Sequence, residues 1–354
     1  MEAITSIKPV LAVSVSLFCT LLIIASGKRP NLREGWTFLA GIVKFGIIAS
    51  MIPVVLRKQE IVYNLVDILP SVGIAFRVDA LGLLFALVSS SLWIVTSAYS
   101  IGYMRGLKEH SQTRYFCFFA LALSATIGVA FAANLLTLYL FYEMLSFATY
   151  PLVTHHQDAE ARSSGRKYLL YIVGTSIGLV LPAMLIAYNL TGTLEFSKQG
   201  LFAGTEPKAL MMVLLLMLVL GFAKVAIMPL HSWLPAAMVA PTPVSALLHA
   251  VAVVKVGAFS VLRVITGVFG IDLLAHLHLG TVICYLAAFT VIVASLIALS
   301  QDGLKRRLAF STIGQLSYIV LGVALLSPKG MIGGMTHIAM HAFGKITLFF
   351  CAGA

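Results

Sequence analysis

The most unusual residues of this sequence are two lysines and a histidine inside the apolar stretch 217–260. Lys224 lies just before Pro229, and His249 and Lys255 lie in the apolar run that follows. A lysine costs roughly 2.5–3.5 kcal/mol at the centre of a membrane helix. A helix broken at membrane depth is tolerated only where it faces protein or a water-filled cavity. The stretch therefore predicts an ion-conducting site beside a discontinuous helix that breaks at Pro229.

Glu143 is a further charged residue inside an apolar run, 134–154, where Tyr139 and Ser146 share its helical face. We expect it to pair with Lys224. A neighbouring carboxylate favours the protonated amine and burial favours the neutral one, so a lysine balanced between them can exchange a proton when its partner moves. The alternative is a structural glutamate neutralised by a nearby cation.

His337, His341 and Lys345 recur at every fourth position, which places them on one stripe of a helix. The two histidines have a spacing that can bind zinc, but no adjacent carboxylate or cysteine completes a ligand set. A proton relay fits better, because histidine titrates near neutral pH. We therefore predict no metal site here.

The remaining candidates are less specific. His249 and Lys255 lie about 240° apart around a helix axis, so we expect them to exchange a proton through water. The alternative for His249 is a core histidine whose ring nitrogens are hydrogen-bonded within the protein. Lys305 stands at the mouth of an apolar run, where it either sets topology or lines a proton entry. Lys44 is a weaker intramembrane candidate.

Composition identifies the broad class. The chain has 354 residues, of which 60% are hydrophobic and 10% charged, whereas soluble domains carry about 25% charged residues. These values predict an all-α, polytopic membrane helix bundle in contact with the lipid bilayer. The net charge of +11 comes from short loops between apolar runs, so it follows from membrane topology rather than from binding to nucleic acid.

About eleven membrane spans of about 20 residues each are expected within a single transmembrane domain, 1–354. They are predicted near 9–27, 36–56, 79–103, 114–132, 134–154, 166–190, 209–228, 243–266, 273–299, 307–326 and 331–352. An alternating stretch within 57–78 predicts a short hairpin.

Orientation follows from the distribution of Lys and Arg, which favours the cytoplasmic side. Twelve of these residues lie on one side, in the loop that holds Lys28, Arg29 and Arg33 and in or next to the loops 104–114, 155–167 and 300–306, whereas eight lie in the loops on the other side. We therefore predict an external N-terminus in a multi-pass protein of the inner (plasma) membrane.

No cofactor is expected. Cys19, Cys117, Cys284 and Cys351 all lie in apolar runs without metal-binding spacing. No motif for nicotinamide or flavin is present, and no catalytic residue stands out, so redox chemistry would belong to partner chains.

Several motifs together resemble the antiporter-like subunits of respiratory complex I, the large D-type subunits of multisubunit Na⁺/H⁺ antiporters, and subunits of membrane-bound hydrogenases. They are YSIGYM at 99–104, FYEM at 141–144, FAKVAIMPLHSWLPAAMVAPTPVSALLHA at 222–250, LKRRLAFSTIGQLSY at 304–318 and HAFGKITLFFCAGA at 341–354. The resemblance covers nearly the whole chain.

This resemblance implies a fold of two inverted repeats of about five helices each, every repeat with a broken helix. Residues 1–105 would be N-terminal helices, 114–266 the first repeat and 273–354 an incomplete second one. By the resemblance, the proton-translocating residues are a coupling pair (Glu143 and Lys224), a central relay (His249 and Lys255) and its continuation (His337, His341 and Lys345). We expect either a truncated chain or a short member completed by another subunit.

The implied function is translocation of H⁺, with Na⁺ left open, in a complex with other membrane subunits. That complex would be an antiporter, a proton-translocating NADH-quinone oxidoreductase or a hydrogenase. Two alternatives remain: a subunit that lines a quinone pocket, and a degenerate structural scaffold.

Overall fold

The computed structural model describes residues 3–202, 204 and 207–354. The helices are α1 (Lys8–Ala25), α2 (Pro30–Leu56), α3 (Ala80–Gly106), α4 (Gln112–Ala130), α5 (Leu135–Val153), α6 (Ala159–Thr191), α7 (Lys208–Gly221), α8 (Trp233–Ala236), α9 (Thr242–Phe269), α10 (Ile271–His276), α11 (Gly280–Leu299), α12 (Leu304–Ala324) and α13 (Pro328–Gly353). The strands are β1 (Ala3–Thr5), β2 (Glu60–Leu69) and β3 (Val72–Val78).

The structure confirms the predicted polytopic helical bundle. Within the described part of the chain, eight helices are long and apolar enough to cross a membrane: α1, α2, α3, α4, α6, α9, α11 and α12. Their outward faces carry large apolar side chains such as Phe18, Phe289 and Leu296, as expected for surfaces in contact with lipid.

Polar residues just before the helices explain where several of them begin. Asp79 accepts a hydrogen bond from the amide of Gly82 (2.8 Å) at the start of α3, and Asp158 accepts one from Ala161 (2.6 Å) at the start of α6. These side chains satisfy amides that have no partner within the helix. Because Asp158 caps it, α6 begins earlier than the predicted 166; α2 also begins earlier than predicted, at Pro30, a residue suited to a first helical turn.

The predicted hairpin is present. Strands β2 and β3 pair antiparallel, and β1 adds to β2 in parallel. The side chain of Asn134 donates to the carbonyl of Gly73 (2.8 Å), and Arg77 donates to the carbonyl of Phe196 (2.9 Å). These contacts tie the small sheet to one end of the bundle.

The break after α7 differs from the prediction of a helix over 209–228 that stops at Pro229. The helix ends at Gly221, and Lys224 lies beyond it in a 3-10 turn, Ala223–Val225. Ala226 then adopts a left-handed conformation (φ 57°), which ends the turn. The helix can end early because backbone groups beyond Gly221 form hydrogen bonds with other side chains: the carbonyl of Ala223 accepts from Trp233, and the amide of Lys224 donates to Tyr142.

The span predicted at 273–299 is likewise divided. The short α10 ends at His276, His278 adopts a left-handed conformation (φ 56°), and the long α11 begins at Gly280. A left-handed residue cannot continue a right-handed helix, so the two segments are separate.

Helix α9 is the centre of the bundle. Every residue of its middle section, Val253–Arg263, is buried, and the helix packs against α3, α4, α12 and α13. Two sections, Ser245–Ala252 and Val264–Phe269, are π-helical. Such wide turns are rare and frequently lie at functional sites.

Candidate functional site

Lys224 belongs to residues 222–232 between α7 and α8, which we call the broken segment, and its side chain is completely buried against α5. Its ammonium donates hydrogen bonds to the carbonyl of Tyr142 (2.5 Å) and to Oγ of Ser146 (2.8 Å). The same nitrogen lies 3.3 Å from the centre of the Tyr142 ring. An aromatic face and two oxygens therefore stabilise the charged form without any carboxylate in direct contact.

Neighbouring side chains complete the hydrogen bonding of the broken backbone. The indole of Trp233 donates to the carbonyl of Ala223 (3.0 Å), and the amide of Lys224 donates to the hydroxyl of Tyr142 (3.1 Å). The amide of Met228 donates to Oγ1 of Thr290 on α11 (3.2 Å). These contacts fix the position of Lys224 although it lies outside a regular helix.

Glu143 and Lys224 do not form the expected direct pair. Among the described residues, no carboxylate oxygen lies within 4.0 Å of the Lys224 ammonium. Both carboxylate oxygens of Glu143 are buried and make no hydrogen bond within the described part of the chain. Ser146, which accepts from Lys224, and Ser176 on α6 stand beside the carboxylate. The two charges are neighbours, with a serine able to connect them.

A second cluster joins α9 to α13. Nζ of Lys255 contacts Nδ1 of His341, and both side chains are buried. The rings of His341 and His337 stack with their centres 5.9 Å apart, and Nε2 of His337 contacts the amide oxygen of Gln315 on α12 (2.7 Å). The stripe of α13 predicted from helical spacing therefore faces the protein interior.

Lys345 lies further along the same stripe. Its ammonium donates to Oγ of Ser311 (2.8 Å) and to the carbonyl of Leu308 (3.4 Å), both on α12. Helix α12 thus supplies hydrogen-bond acceptors to the cations of α13.

His249 is buried in the π-helical part of α9, and neither ring nitrogen has a hydrogen-bond partner among the described residues. The alternative of a core histidine with hydrogen-bonded ring nitrogens therefore does not describe His249. Lys305 is the nearby cation that acts on it electrostatically. The Lys305 ammonium binds the carbonyls of Ala240 (2.9 Å) and Met238 (3.3 Å), at the end of the short helical segment that follows the break.

A cavity of about 850 Å³ opens at this end of the bundle, and we call it the vestibule. Its lining includes His156, Asp158, Lys167, Ser232, Lys305 and Phe310. It lies between the loop after α5 and the loop before α12, two of the three predicted internal loops. The third predicted internal loop, after α3, contacts the loop after α5, because Nε2 of His110 lies 3.0 Å from the carbonyl of His155.

Lys44 does not belong to this site. It is buried among the first helices, where its ammonium contacts Ser16 and the carbonyl of Leu123 (3.3 Å) and lies 5.1 Å from the centre of the Trp93 ring. Its partners are those of a structural cation.

An ion pair at the opposite end of the bundle was not anticipated. The guanidinium of Arg263 on α9 binds both carboxylate oxygens of Asp79 (2.5 and 2.7 Å). Burial would raise the pKa of the Asp79 carboxyl, but the charge and hydrogen bonds of Arg263, the Gly82 amide and the charge of Arg77 hold that pKa below its usual value. The pair fixes α9 against the start of α3.

Together these features define a class: a multi-pass membrane protein with a discontinuous helix and buried lysines at its centre. The chain belongs to the family described as NADH:quinone oxidoreductase/Mrp antiporter, TM, which matches residues 132–354. The resemblance seen in the motifs is thereby confirmed.

Curated relatives are subunits of quinone oxidoreductases. NADH-quinone oxidoreductase subunit L of Mycobacterium tuberculosis is 31% identical over 362 residues, which cover 97% of this chain and 55% of the relative. NAD(P)H-quinone oxidoreductase chain 5 of Synechocystis sp. is 31% identical over 288 residues, which cover 79% of this chain and 40% of the relative. The chain thus spans about half the length of the curated relatives it matches.

Two solved structures share the fold. One is a chain of the membrane-bound sulfane sulfur reductase, an archaeal respiratory membrane complex, with a TM-score of 0.86 and 23% identity, covering 98% of this chain and 71% of that one. The other belongs to the Mrp complex of Dietzia sp., with a TM-score of 0.82 and 21% identity, covering 97% and 64%.

Proposed function

We propose that this chain is a proton-translocating membrane subunit of a multisubunit complex. The observation that carries the proposal is the buried contact of Lys255 with His341 at the centre of the bundle. Lys224 and Lys345 are also buried, against α5 and α12 respectively. None of these three lysines has a carboxylate within 4.0 Å among the described residues. Unpaired amines at membrane depth are costly, and groups of this kind mark proton pathways.

Protons would enter from the vestibule. Lys305 lines this cavity, and His249 lies beyond it with both ring nitrogens free of protein partners in the described structure. An imidazole can accept a proton at one nitrogen and release it from the other, so His249 would pass protons toward the centre of the bundle. Water is expected to connect side chains that do not touch.

Glu143 and Lys224 would set the rate of transfer. The carboxylate has no protein donor in the described structure, while Ser146 contacts the ammonium and stands beside the carboxylate. A small movement of α5 could bring the two charges into contact or separate them. The transfer of a proton to Lys255, His341 and Lys345 would follow that movement.

The expected partners are other membrane subunits, because the curated relatives are named as subunits of oxidoreductases. The proposal includes a first repeat over 114–266 and a partial second repeat over 273–354. H⁺ is the transported ion, and Na⁺ is a question for transport assays.

The test compares Glu143→Gln, Lys224→Ala and the double variant in the assembled complex. Proton transfer is measured as pH-gradient formation in inverted membrane vesicles, and assembly is checked on native gels. We expect both single variants to lose most activity and the double variant to be little worse, because residues that act as a unit have non-additive effects. Glu143→Asp should keep part of the activity.

Lys44→Met is the matched control, since it removes a buried lysine that lies outside the proposed path. It should leave transport largely intact if the complex assembles. Fully additive losses in the double variant would show that Glu143 and Lys224 act independently. Normal transport in Lys224→Ala would favour a structural scaffold instead.

Orientation is a separate part of the proposal, with the N-terminus outside. A new cysteine at Lys108 or at Lys198, each in a chain whose exposed Cys351 and half-buried Cys284 are replaced, should be labelled from opposite sides. A membrane-impermeant reagent added outside should label position 198 and spare position 108. The reverse pattern would invert the topology.

A further inference from the structure

Three histidines surround one carboxylate where the loop after α3 meets the loop after α5. Oε2 of Glu109 lies 3.8 Å from Nδ1 of His110, 3.6 Å from Nε2 of His155 and 3.8 Å from Nδ1 of His156. Each distance exceeds the 3.5 Å limit of a hydrogen bond. The nitrogens are thus arranged around the carboxylate without being hydrogen-bonded to it.

These separations approach those of ligands that share one metal ion. Two ligands of a tetrahedral Zn²⁺ ion with bonds of about 2.0–2.1 Å lie about 3.3 Å apart. The ligand atoms of Glu109, His110 and His156 all fall within 4.8 Å of one another. Movements of about 1 Å or less, well within the range of loop side chains, would bring them onto a common ion.

The hydrogen bonding of His110 also suits a metal ligand. Its Nε2 contacts the carbonyl of His155 (3.0 Å), which leaves Nδ1 directed at Glu109. Histidines that bind metals commonly donate their other N–H to a backbone carbonyl, which fixes the ring and its tautomer. Arg114 donates to the same carbonyl (2.8 Å) and holds the loop in place.

His155 gives an independent indication that the cluster binds a ligand. It is completely buried, and both ring nitrogens lack a hydrogen-bond partner in the described part of the chain, while one of them points at Glu109.

We propose that Glu109, His110 and His156 bind a divalent transition metal ion, with Zn²⁺ as the best match. Two imidazoles and one carboxylate form a known zinc ligand set that leaves a fourth position for water. Hard ions such as Mg²⁺ and Ca²⁺ prefer oxygen ligands, so they fit less well. The side chains of His110 and His156 are 50% and 35% exposed, which gives the ion access from solvent.

The location suggests an effect on transport. His156 also lines the vestibule, so an ion bound there would place positive charge at the entry used by protons. This consequence rests on the proposed function, whereas the metal site itself does not.

Binding is tested on the purified full chain in detergent, carrying an affinity tag without histidines. Equilibrium dialysis with Zn²⁺ and elemental analysis give the stoichiometry, and visible absorption of Co²⁺ reports the ligand geometry. We expect one saturable ion per chain and at least about a tenfold loss of affinity in Glu109→Gln, His110→Ala and His156→Ala. His276→Ala, which removes an exposed histidine on α10, should bind as the unaltered chain does.

Size-exclusion profiles and circular dichroism identify any variant that fails to fold, and Glu109→Gln changes the structure least. Absence of saturable binding, or equal affinity in the three ligand variants, would overturn the proposal. In the assembled complex, Zn²⁺ should slow proton transfer in the unaltered chain and not in His156→Ala. Saturable Zn²⁺ binding without that inhibition would support the metal site and contradict its proposed effect on proton transfer.

Discussion

Gly257 of α9 lies directly against the backbone of the broken segment that carries Lys224. A Cβ atom at this position would lie 2.1 Å from the amide nitrogen of Val225, 2.3 Å from the carbonyl carbon of Lys224 and 2.8 Å from Cβ of Lys224. Real Cβ contacts are essentially never shorter than 3.0 Å. We therefore predict that Gly257→Ala displaces Lys224 from its position beside α5.

The magnitude follows from these distances. Two of the three contacts are with backbone atoms that cannot rotate away, so the segments must separate by about 1 Å. Inserting a methyl group into a packed core costs about 1–3 kcal/mol, and the upper part of this range applies here. A misplacement of about 1 Å can reduce the rate of a positioned transfer step about 10²-fold.

The assay combines two measurements on Gly257→Ala: the melting temperature of the purified chain in detergent, and proton transfer by the assembled complex in vesicles. Gly102→Ala on α3 is the matched control, because its added Cβ would have no described atom within 4 Å apart from those of its chain neighbours and of the surrounding helix backbone. The control should keep its activity and gain up to about 1 kcal/mol from better helix propensity. If Gly257→Ala matched the control in both measurements, the inferred packing of Lys224 would be wrong.

Three further predictions concern contacts elsewhere in the bundle. Asp79→Asn keeps a helix cap but leaves Arg263 buried without its counter-charge, which should cost about 3–5 kcal/mol on thermal melting. Because Arg263 helps to hold the pKa of Asp79 below its usual value, the stability from this pair is present above about pH 4 and is lost as pH falls through the lowered pKa. Melting curves should show this acid-dependent loss in the unaltered chain and not in Asp79→Asn. Trp233→Phe leaves the carbonyl of Ala223 unpaired and should cost about 1–3 kcal/mol in the same assay. Lys345→Ala should reduce proton transfer in an assembled complex, whereas failure to assemble would indicate a packing role.

Hydropathy and residue spacing predicted those features of the site that follow from the residues of one helix alone. The apolar context of Lys224 and Lys255 predicted a position inside the membrane, and the structure buries both side chains in the bundle. Helical periodicity predicted one stripe for His337, His341 and Lys345, and the structure turns that stripe toward α9 and α12. Each of these inferences needs only the geometry of one helix. The hairpin was predictable on similar grounds, because the alternation of residues within 57–78 depends only on the geometry of a strand.

The sequence could not locate features that depend on contacts between distant segments. The end of α7 at Gly221 depends on Trp233 and Tyr142, which supply the hydrogen bonds of the released backbone. The pairing of Arg263 with Asp79 joins two helices that are far apart in the chain. Neither residue type nor spacing indicates such partners, because tertiary packing selects them.

The complete burial of the middle of α9 has a consequence for how the protein is made. This helix carries Lys255 and Arg263, yet α12 and α13, which help to cover it, come later in the chain. When α9 enters the membrane, each of these charges would cost a few kcal/mol if it met lipid directly. We therefore expect the earlier helices α3 and α4, which pack against α9, to shield these charges from lipid until α12 and α13 have been synthesised.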